Sequence, residues 1–169
     1  MPRIVLLALL ALLFTAPAAQ ACTDQPLSRP FTPWLDFAYY EPAPDAGLES
    51  GAAGWTLDGA TVVDGGYASA RSLALPTGAS AVTPPVCVTP AHPTLRFFTR
   101  GPGVLAVSVV VDGLELPIGA ALPGARWAPS PILPLVVNLL GDRDVRFRFA
   151  STLGTVRVDD VWIDPYSKG

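Results

Sequence analysis

Val145-Arg146-Phe147-Arg148-Phe149 alternates apolar and charged side chains without a break. Successive side chains of a strand leave on opposite faces, so Val145, Phe147 and Phe149 fall on one side and the two arginines on the other. This is the pattern of a strand with one buried and one solvated face, as antiparallel sheets have. The next run, Thr155 to Asp164, begins the same way, with Val156 and Val158 on the buried side. After Asp159-Asp160 the apolar residues are Val161 and Ile163, on the other parity. The switch predicts a β-bulge, or a site that draws a carboxylate inward.

Working outward from these runs, short β-prone segments alternate with turn signals. Strands are expected around Trp55–Leu57, Ala60–Val63, Ser72–Leu75, Ala81–Val88, Thr94–Thr99, Val104–Val111 and Ile132–Asn138, in addition to the two above. Asp64-Gly65-Gly66, Pro76-Thr77-Gly78, Gly101-Pro102-Gly103, Asp112-Gly113 and Gly141-Asp142 supply the turns. The chain holds 19 prolines and 15 glycines, which suit many short strands and interrupt long helices. Ile132 to Leu140 is the one stretch that also reads as a short helix, and Pro131 and Pro134 weaken that reading. Half of the residues are hydrophobic, enough for a packed core and too many for a disordered chain. The expected class is all-β, an antiparallel β-sandwich in one domain.

The N-terminus has a different character. Arg3 precedes an aliphatic run from Ile4 to Phe14, and Ala19-Gln20-Ala21 places small residues where a signal peptidase needs them. The run is shorter than the about 20 apolar residues that span a bilayer, so residues 1–21 are expected to be a removable signal peptide. The mature chain is then secreted and has no transmembrane segment. Cys22 follows the cut, where a lipid anchor to the outer face of the membrane is the alternative, but Ala19 stands where a lipobox wants a large aliphatic residue. Cys22 and Cys87 are the only cysteines, and in an oxidising compartment they are expected to form a disulfide. Closing that loop restricts the unfolded chain by about 4 kcal/mol in the entropic account. Residues 22–46 carry Pro26, Pro30, Pro33, Pro42 and Pro44, with Phe31, Trp34, Phe37, Tyr39 and Tyr40 among them. They are expected to form an extended proline-rich arm packed on the core through its aromatics. Residues 47–169 form the sandwich domain.

Several functions are excluded by what their chemistry needs. The net charge is −3, and there is no basic stripe for nucleic acid. His92, the sole histidine, lies between Ala91 and Pro93. Without a second imidazole or paired thiolates a zinc site lacks ligands. No G-x-S-x-G elbow offers a nucleophile for a triad, and His92 reads as a solvated loop residue. Asp112, Glu115, Asp142, Asp144, Asp159, Asp160 and Asp164 contain many carboxylate pairs, none singled out for glycoside hydrolysis. There is no phosphate-cradling loop and no dinucleotide fingerprint. The chain is therefore read as a non-enzyme with no required cofactor.

Four segments in succession carry a resemblance. Gly47-Leu48-Glu49-Ser50-Gly51 with Gly54-Trp55, then Ser72-Leu73-Ala74-Leu75-Pro76, then Thr94-Leu95-Arg96-Phe97-Phe98, and finally Val158-Asp159-Asp160-Val161 resemble the galactose-binding-like jelly-roll modules, which include many carbohydrate-binding modules. Leu48 stands where such modules usually have Phe. The layout from Cys22 through Pro33-Trp34-Leu35-Asp36 to Asp164-Pro165-Tyr166 is similar to a family of uncharacterised secreted proteins from high-GC actinobacteria. The resemblance implies a jelly roll. It also implies a structural calcium ion, with Glu49 and Asp160 as ligands beside backbone carbonyls, since a hard cation needs several oxygens and offsets carboxylate repulsion. The plain alternative has Glu49 capping a turn and Asp159 and Asp160 paired with arginines such as Arg157.

For ligand binding, aromatic faces suit the apolar C–H surface of sugars, and arginine forks suit hydroxyl or carboxylate oxygens. Tyr67, Trp127, Arg96, Arg146 and Arg148 are the candidates. The alternative for the arginines is a solvated sheet face with ordinary charge pairs. Trp55 and Trp162 are expected in or near the core. Two functions remain: a secreted non-catalytic module for carbohydrate or envelope polysaccharide, and a structural or protein-interaction component of the cell envelope. The first requires exposed aromatic rings on a sheet face, and the second a flat polar face with an apolar patch elsewhere.

Overall fold

The alternating run around Phe147 forms the middle of a long strand about which one of two sheets is built. The computed structural model describes residues 26–137 and 141–164. The expected signal peptide, Cys22, Asn138 and Pro165-Tyr166 lie outside the described residues. In chain order the elements are a 3-10 turn at Thr32–Trp34 and strands β1 Glu41–Pro42, β2 Thr56–Asp58, β3 Thr61–Asp64, β4 Arg71–Leu75, β5 Ser80–Val82, β6 Val86–Val88, β7 Thr94–Arg100, β8 Gly103–Val111, β9 Leu114–Ala121, β10 Ala128–Pro129, β11 Leu133–Pro134, β12 Arg143–Gly154 and β13 Val156–Asp164. The first sheet has the order β10-β7-β13-β4-β3, with β1 added to β13 and β11 to β7. The second has the order β2-β5-β12-β8-β9, with β6 added to β12. The strand pairs are antiparallel, and the two layers form the expected β-sandwich, a jelly roll.

The core lies where the alternation places it. Val145, Phe147 and Phe149 of β12 and Leu105, Val107 and Val109 of β8 meet Leu73, Leu75, Leu95, Phe97, Val156 and Val158 of the opposite sheet, all buried. Phe97 packs edge-on against Phe149 at 5.2 Å, and Trp55 stacks on Phe149 at 6.1 Å. The parity switch in β13 is a register irregularity between Asp159 and Trp162 against β7, with Asp160 at φ 48°.

Three strand expectations needed correction. Ala81–Val88 is two strands, because Pro84 and Pro85 lack the N–H that a continuous ladder requires. Among the described residues of Ile132–Asn138, strand pairing is confined to Leu133–Pro134. The expected list lacked β9, the hairpin partner of β8 across Asp112 (φ 50°) and Gly113 (φ 78°). Its Pro117 and Gly119 argue against a strand in sequence, but it is an edge strand whose register shifts opposite Val107 and Ser108, where proline is tolerated.

Residues 26–42 lie over the outer face of the first sheet. Ser28 and Tyr40 exchange backbone hydrogen bonds of 3.0 and 2.8 Å, which closes the segment into a loop. Phe31, Ala38 and Tyr40 bury Phe98 of β7, with Tyr67, Trp127 and Trp162 packed around them as a second small core. Tyr67 stacks on Phe98 at 3.8 Å.

Candidate functional site

Along β7, Leu95 and Phe97 face the main core, so Arg96 and Phe98 project outward beneath residues 26–40. The 3-10 turn carries Trp34 over Phe98 at 5.3 Å. Leu35 then turns into the left-handed region at φ 61°, which directs Asp36 back toward the sheet. Asp36 forms an ion pair with Arg96. It also accepts hydrogen bonds from the Tyr40 hydroxyl at 2.6 Å and the Ala38 amide at 3.1 Å. Arg96 lies over the Phe31 ring at 4.2 Å, so its cation has both a carboxylate and a π-face. Burial raises the Asp36 carboxyl, but the hydrogen bonds from Tyr40 and Ala38 and the Arg96 guanidinium outweigh it and hold the group below its usual range. Burial and Asp36 together push the Tyr40 hydroxyl well above its ordinary value.

This knot is the floor of a cleft of about 580 Å³. Its rim carries Trp34, 38% exposed, Phe37, 58% exposed, and Ile132, 59% exposed. Asp164, which accepts from the Thr94 hydroxyl at 3.1 Å, lines the other side. Planar polar groups and exposed rings therefore converge on one concave surface. The carboxylates and guanidinium suit vicinal hydroxyl groups, and the rings suit an apolar ring face.

The five binding candidates do not share one site. Arg96 forms the floor of the cleft. Tyr67 and Trp127 flank Phe98 on the same sheet face, both half-buried. Arg146 and Arg148 stand on the outer face of the second sheet, where Arg148 pairs with Glu115 at 3.2 Å. The aromatic residues in that sheet's strands, Phe147 and Phe149, face the core, so this face offers no ring. Trp34, Asp36, Phe37 and Asp164 were absent from the candidates. Their signal was the run Pro33-Trp34-Leu35-Asp36-Phe37, whose contact with β7 is not local in sequence.

Glu49, Asp159 and Asp160 meet beside the bulge. Asp159 is fully buried and accepts from the Tyr67 amide at 2.6 Å, the Ser69 hydroxyl at 2.8 Å and the Asp160 amide at 2.9 Å. Glu49 accepts from the Arg71 amide at 2.9 Å. The Asp160 carboxylate takes no hydrogen bond among the described residues. Burial, then Asp159 and Glu49, push it up to about 7. Its Oδ1 lies 3.1 Å from where a side chain on Gly47 would begin, so the glycine keeps the space beside it open. No group of three or more His, Cys, Asp and Glu side chains is placed to hold a metal ion among the described residues. Arg157 hydrogen-bonds Ser72 and the carbonyls of Asp64 and Gly65, and forms no ion pair with Asp159 or Asp160.

Cys87 is buried in β6 and is not a free thiol. His92 is half-buried, not solvated: its Nδ1 accepts from the Thr89 amide at 2.9 Å, and Nε2 lies 3.3 Å from Glu41. Proline on either side of the segment had suggested an open loop, whereas β1 folds back to bring Glu41 onto the ring. No described helix is long and apolar enough to cross a membrane.

No protein-family model matches the chain, and no curated protein matches it. Solved structures share its fold. The CBM22-1–GH10 segment of Clostridium thermocellum xylanase 10B, solved with xylohexaose, superposes with a TM-score of 0.57 at 14% identity, over 73% of this chain and 28% of that one. The C-terminal CBM6 of a laminarinase from Zobellia galactanivorans gives 0.54 at 10% identity, over 68% and 95%. The K3 adhesin domain of Lys-gingipain from Porphyromonas gingivalis gives 0.52 at 16%, over 70% and 97%. The chain thus spans about a quarter of the xylanase chain and nearly the whole of the other two.

Proposed function

We propose that this protein is an exported, non-catalytic carbohydrate-binding module whose sugar site is the cleft between residues 34–37 and β7. One observation carries the reading: Trp34 and Phe37 present exposed rings beside Asp36, Arg96 and Asp164 in a single concavity. An exposed tryptophan costs solvation that a stacked sugar ring recovers, and a carboxylate–guanidinium pair offers acceptors and donors in the fixed plane that two neighbouring hydroxyls need. The carbohydrate-binding modules among the structures of similar fold support it. Affinity electrophoresis in laminarin, xylan and β-1,4-galactan tests the reading. At least one polysaccharide retards the protein, and Trp34→Ala abolishes the retardation without lowering the melting temperature. Free migration in all of these gels would sink it.

A calcium ion held by Glu49 and Asp160 belongs to this reading. Asp160 Oδ1 and the Glu49 side chain both lie within 4.0 Å of the position a Cβ on Gly47 would take, and a dication between them would offset the repulsion that Asp160 meets from its acidic neighbours. Backbone carbonyls complete such a site in place of a third acidic ligand. The ion's chemistry would be structural, tying the loop that follows β1 to the bulge of β13. Export and the Cys22–Cys87 disulfide complete the proposal: the bridge would fasten the N-terminal segment to β6.

A further inference from the structure

The first sheet holds a like-charge pair where strand pairing ordinarily opposes charges. Arg157 of β13 is the direct register partner of Arg100 of β7, and both side chains leave the outer face of the sheet. Same-sign charges directly opposite are destabilising. Both guanidinium groups lie over Trp127, at 5.3 and 5.7 Å from its ring centre, and Arg126, the residue before that tryptophan, is exposed. The four ion pairs among the described residues use His92, Arg96, Arg143 and Arg148, so none of the three arginines around Trp127 has a carboxylate partner there.

The arrangement is held in place. Arg157 donates from Nε to Ser72 Oγ at 3.0 Å and from Nη2 to the carbonyls of Asp64 and Gly65, each at 2.6 Å. Its Nη1, and the guanidinium groups of Arg100 and Arg126, donate to no protein acceptor among the described residues. The nearest acidic side chains are Asp64, which is exposed, and Asp159, whose oxygens are already taken by Tyr67, Ser69 and Asp160. Burial and then Arg100 lower the Arg157 pKa, with Asp159 and Asp64 opposing. A chain with a net charge of −3 thus concentrates unpaired positive charge on one preorganised spot.

We propose that Arg100, Arg126 and Arg157, set around Trp127, form a second site that takes the acidic group of an anionic polysaccharide. The guanidinium forks bind a carboxylate or sulfate ester, and the anion relieves the repulsion between the paired strands. Arg96 and Arg100 emerge on the same face of β7, about 13 Å apart along the strand. One chain of a few sugars therefore reaches from the cleft to this site, which is why a polysaccharide suits it better than a free anion. The saccharide character rests on the proposed function, and the charge recognition does not.

Calorimetry with hexagalacturonate, a sulfated heparin hexasaccharide and neutral β-1,4-galactohexaose tests the inference. At least one acidic hexasaccharide binds more tightly than the neutral one, and 0.5 M NaCl removes the difference; which acid it is separates carboxylate from sulfate. Arg100→Gln and Arg126→Gln each weaken acidic binding by about tenfold. Without ligand, Arg100→Gln melts no lower than wild type, because it removes a repulsion. A lower melting point, or acidic binding unchanged in both variants, overturns the site. Neutral binding with no acidic preference overturns it and leaves the cleft standing, and no binding of any hexasaccharide overturns it and leaves the cleft to be decided by the electrophoresis.

Discussion

Phe149 and His92 show how differently single side chains contribute. Phe149 is fully buried between Phe97 and Trp55, so Phe149→Ala is expected to remove about 3–5 kcal/mol by leaving a cavity that rigid neighbours cannot fill. The denaturant midpoint should fall with an unchanged slope. At Gly66 an added Cβ would run into Ser69, the Arg71 carbonyl and the Asp159 carboxylate, so Gly66→Ala also lowers the melting temperature. His92 acts through its charge state. Burial lowers its pKa from the ordinary 6.5, with Asp142 opposing, and Nδ1 must stay unprotonated to accept from Thr89. The unfolded chain therefore takes up the proton first. Stability from this contact is complete above about pH 6.5 and is lost as pH falls through the lower folded value. Melting temperatures from pH 7.5 to 5 should decline in wild type and decline less in His92→Gln; equal slopes would refute the assignment.

At the scale of elements, the segment over the first sheet is held by two devices, the Ser28–Tyr40 bridge and the Asp36 knot with Arg96 and Tyr40. Asp36→Ala removes the acceptor that both Arg96 and Tyr40 use, and leaves a buried cation without its carboxylate. The expected result is faster chymotryptic cleavage after exposed Phe37, while the main transition, set by the other core, shifts little. Asp36 sits below its usual 3.8. Its contribution is therefore present above that pH and lost as pH falls through the lower folded value, so acid should loosen the segment in wild type and have no such effect on the alanine variant. Indistinguishable cleavage rates of the two proteins at pH 7 would mean that the knot does not hold the segment.

For the whole molecule, two further fastenings are proposed, each joining parts of the chain distant in sequence. Calcium at Glu49 and Asp160 would join an early loop to the last strand, and mass action then makes stability depend on its concentration. Adding 5 mM calcium to chelated protein should raise the melting temperature, and Asp160→Asn should abolish the rise. An unchanged transition in wild type would rule out a structural ion there. Alkylation of the unreduced protein followed by intact-mass measurement should find both cysteines protected, and either thiol labelled would exclude the bridge.

The two-layer fold was legible in the sequence because strand alternation is a local, period-two property: Val145 to Phe149 specify which face is buried whatever they pair with. The bulge was legible too, since one change of parity at Asp159-Asp160 cannot be accommodated in a regular strand. Strand β9 was not, because Pro117 and Gly119 are tolerated only at an edge, and being at an edge is a property of the assembled sheet. Arg96 was legible as a candidate by residue type. That Asp36, sixty residues earlier, would meet it, and that Arg157 would face Arg100, depended on register between distant strands. Burial patterns are written residue by residue, whereas charges find their neighbours only when the layers close, and so the tertiary structure alone decided where the sites lie.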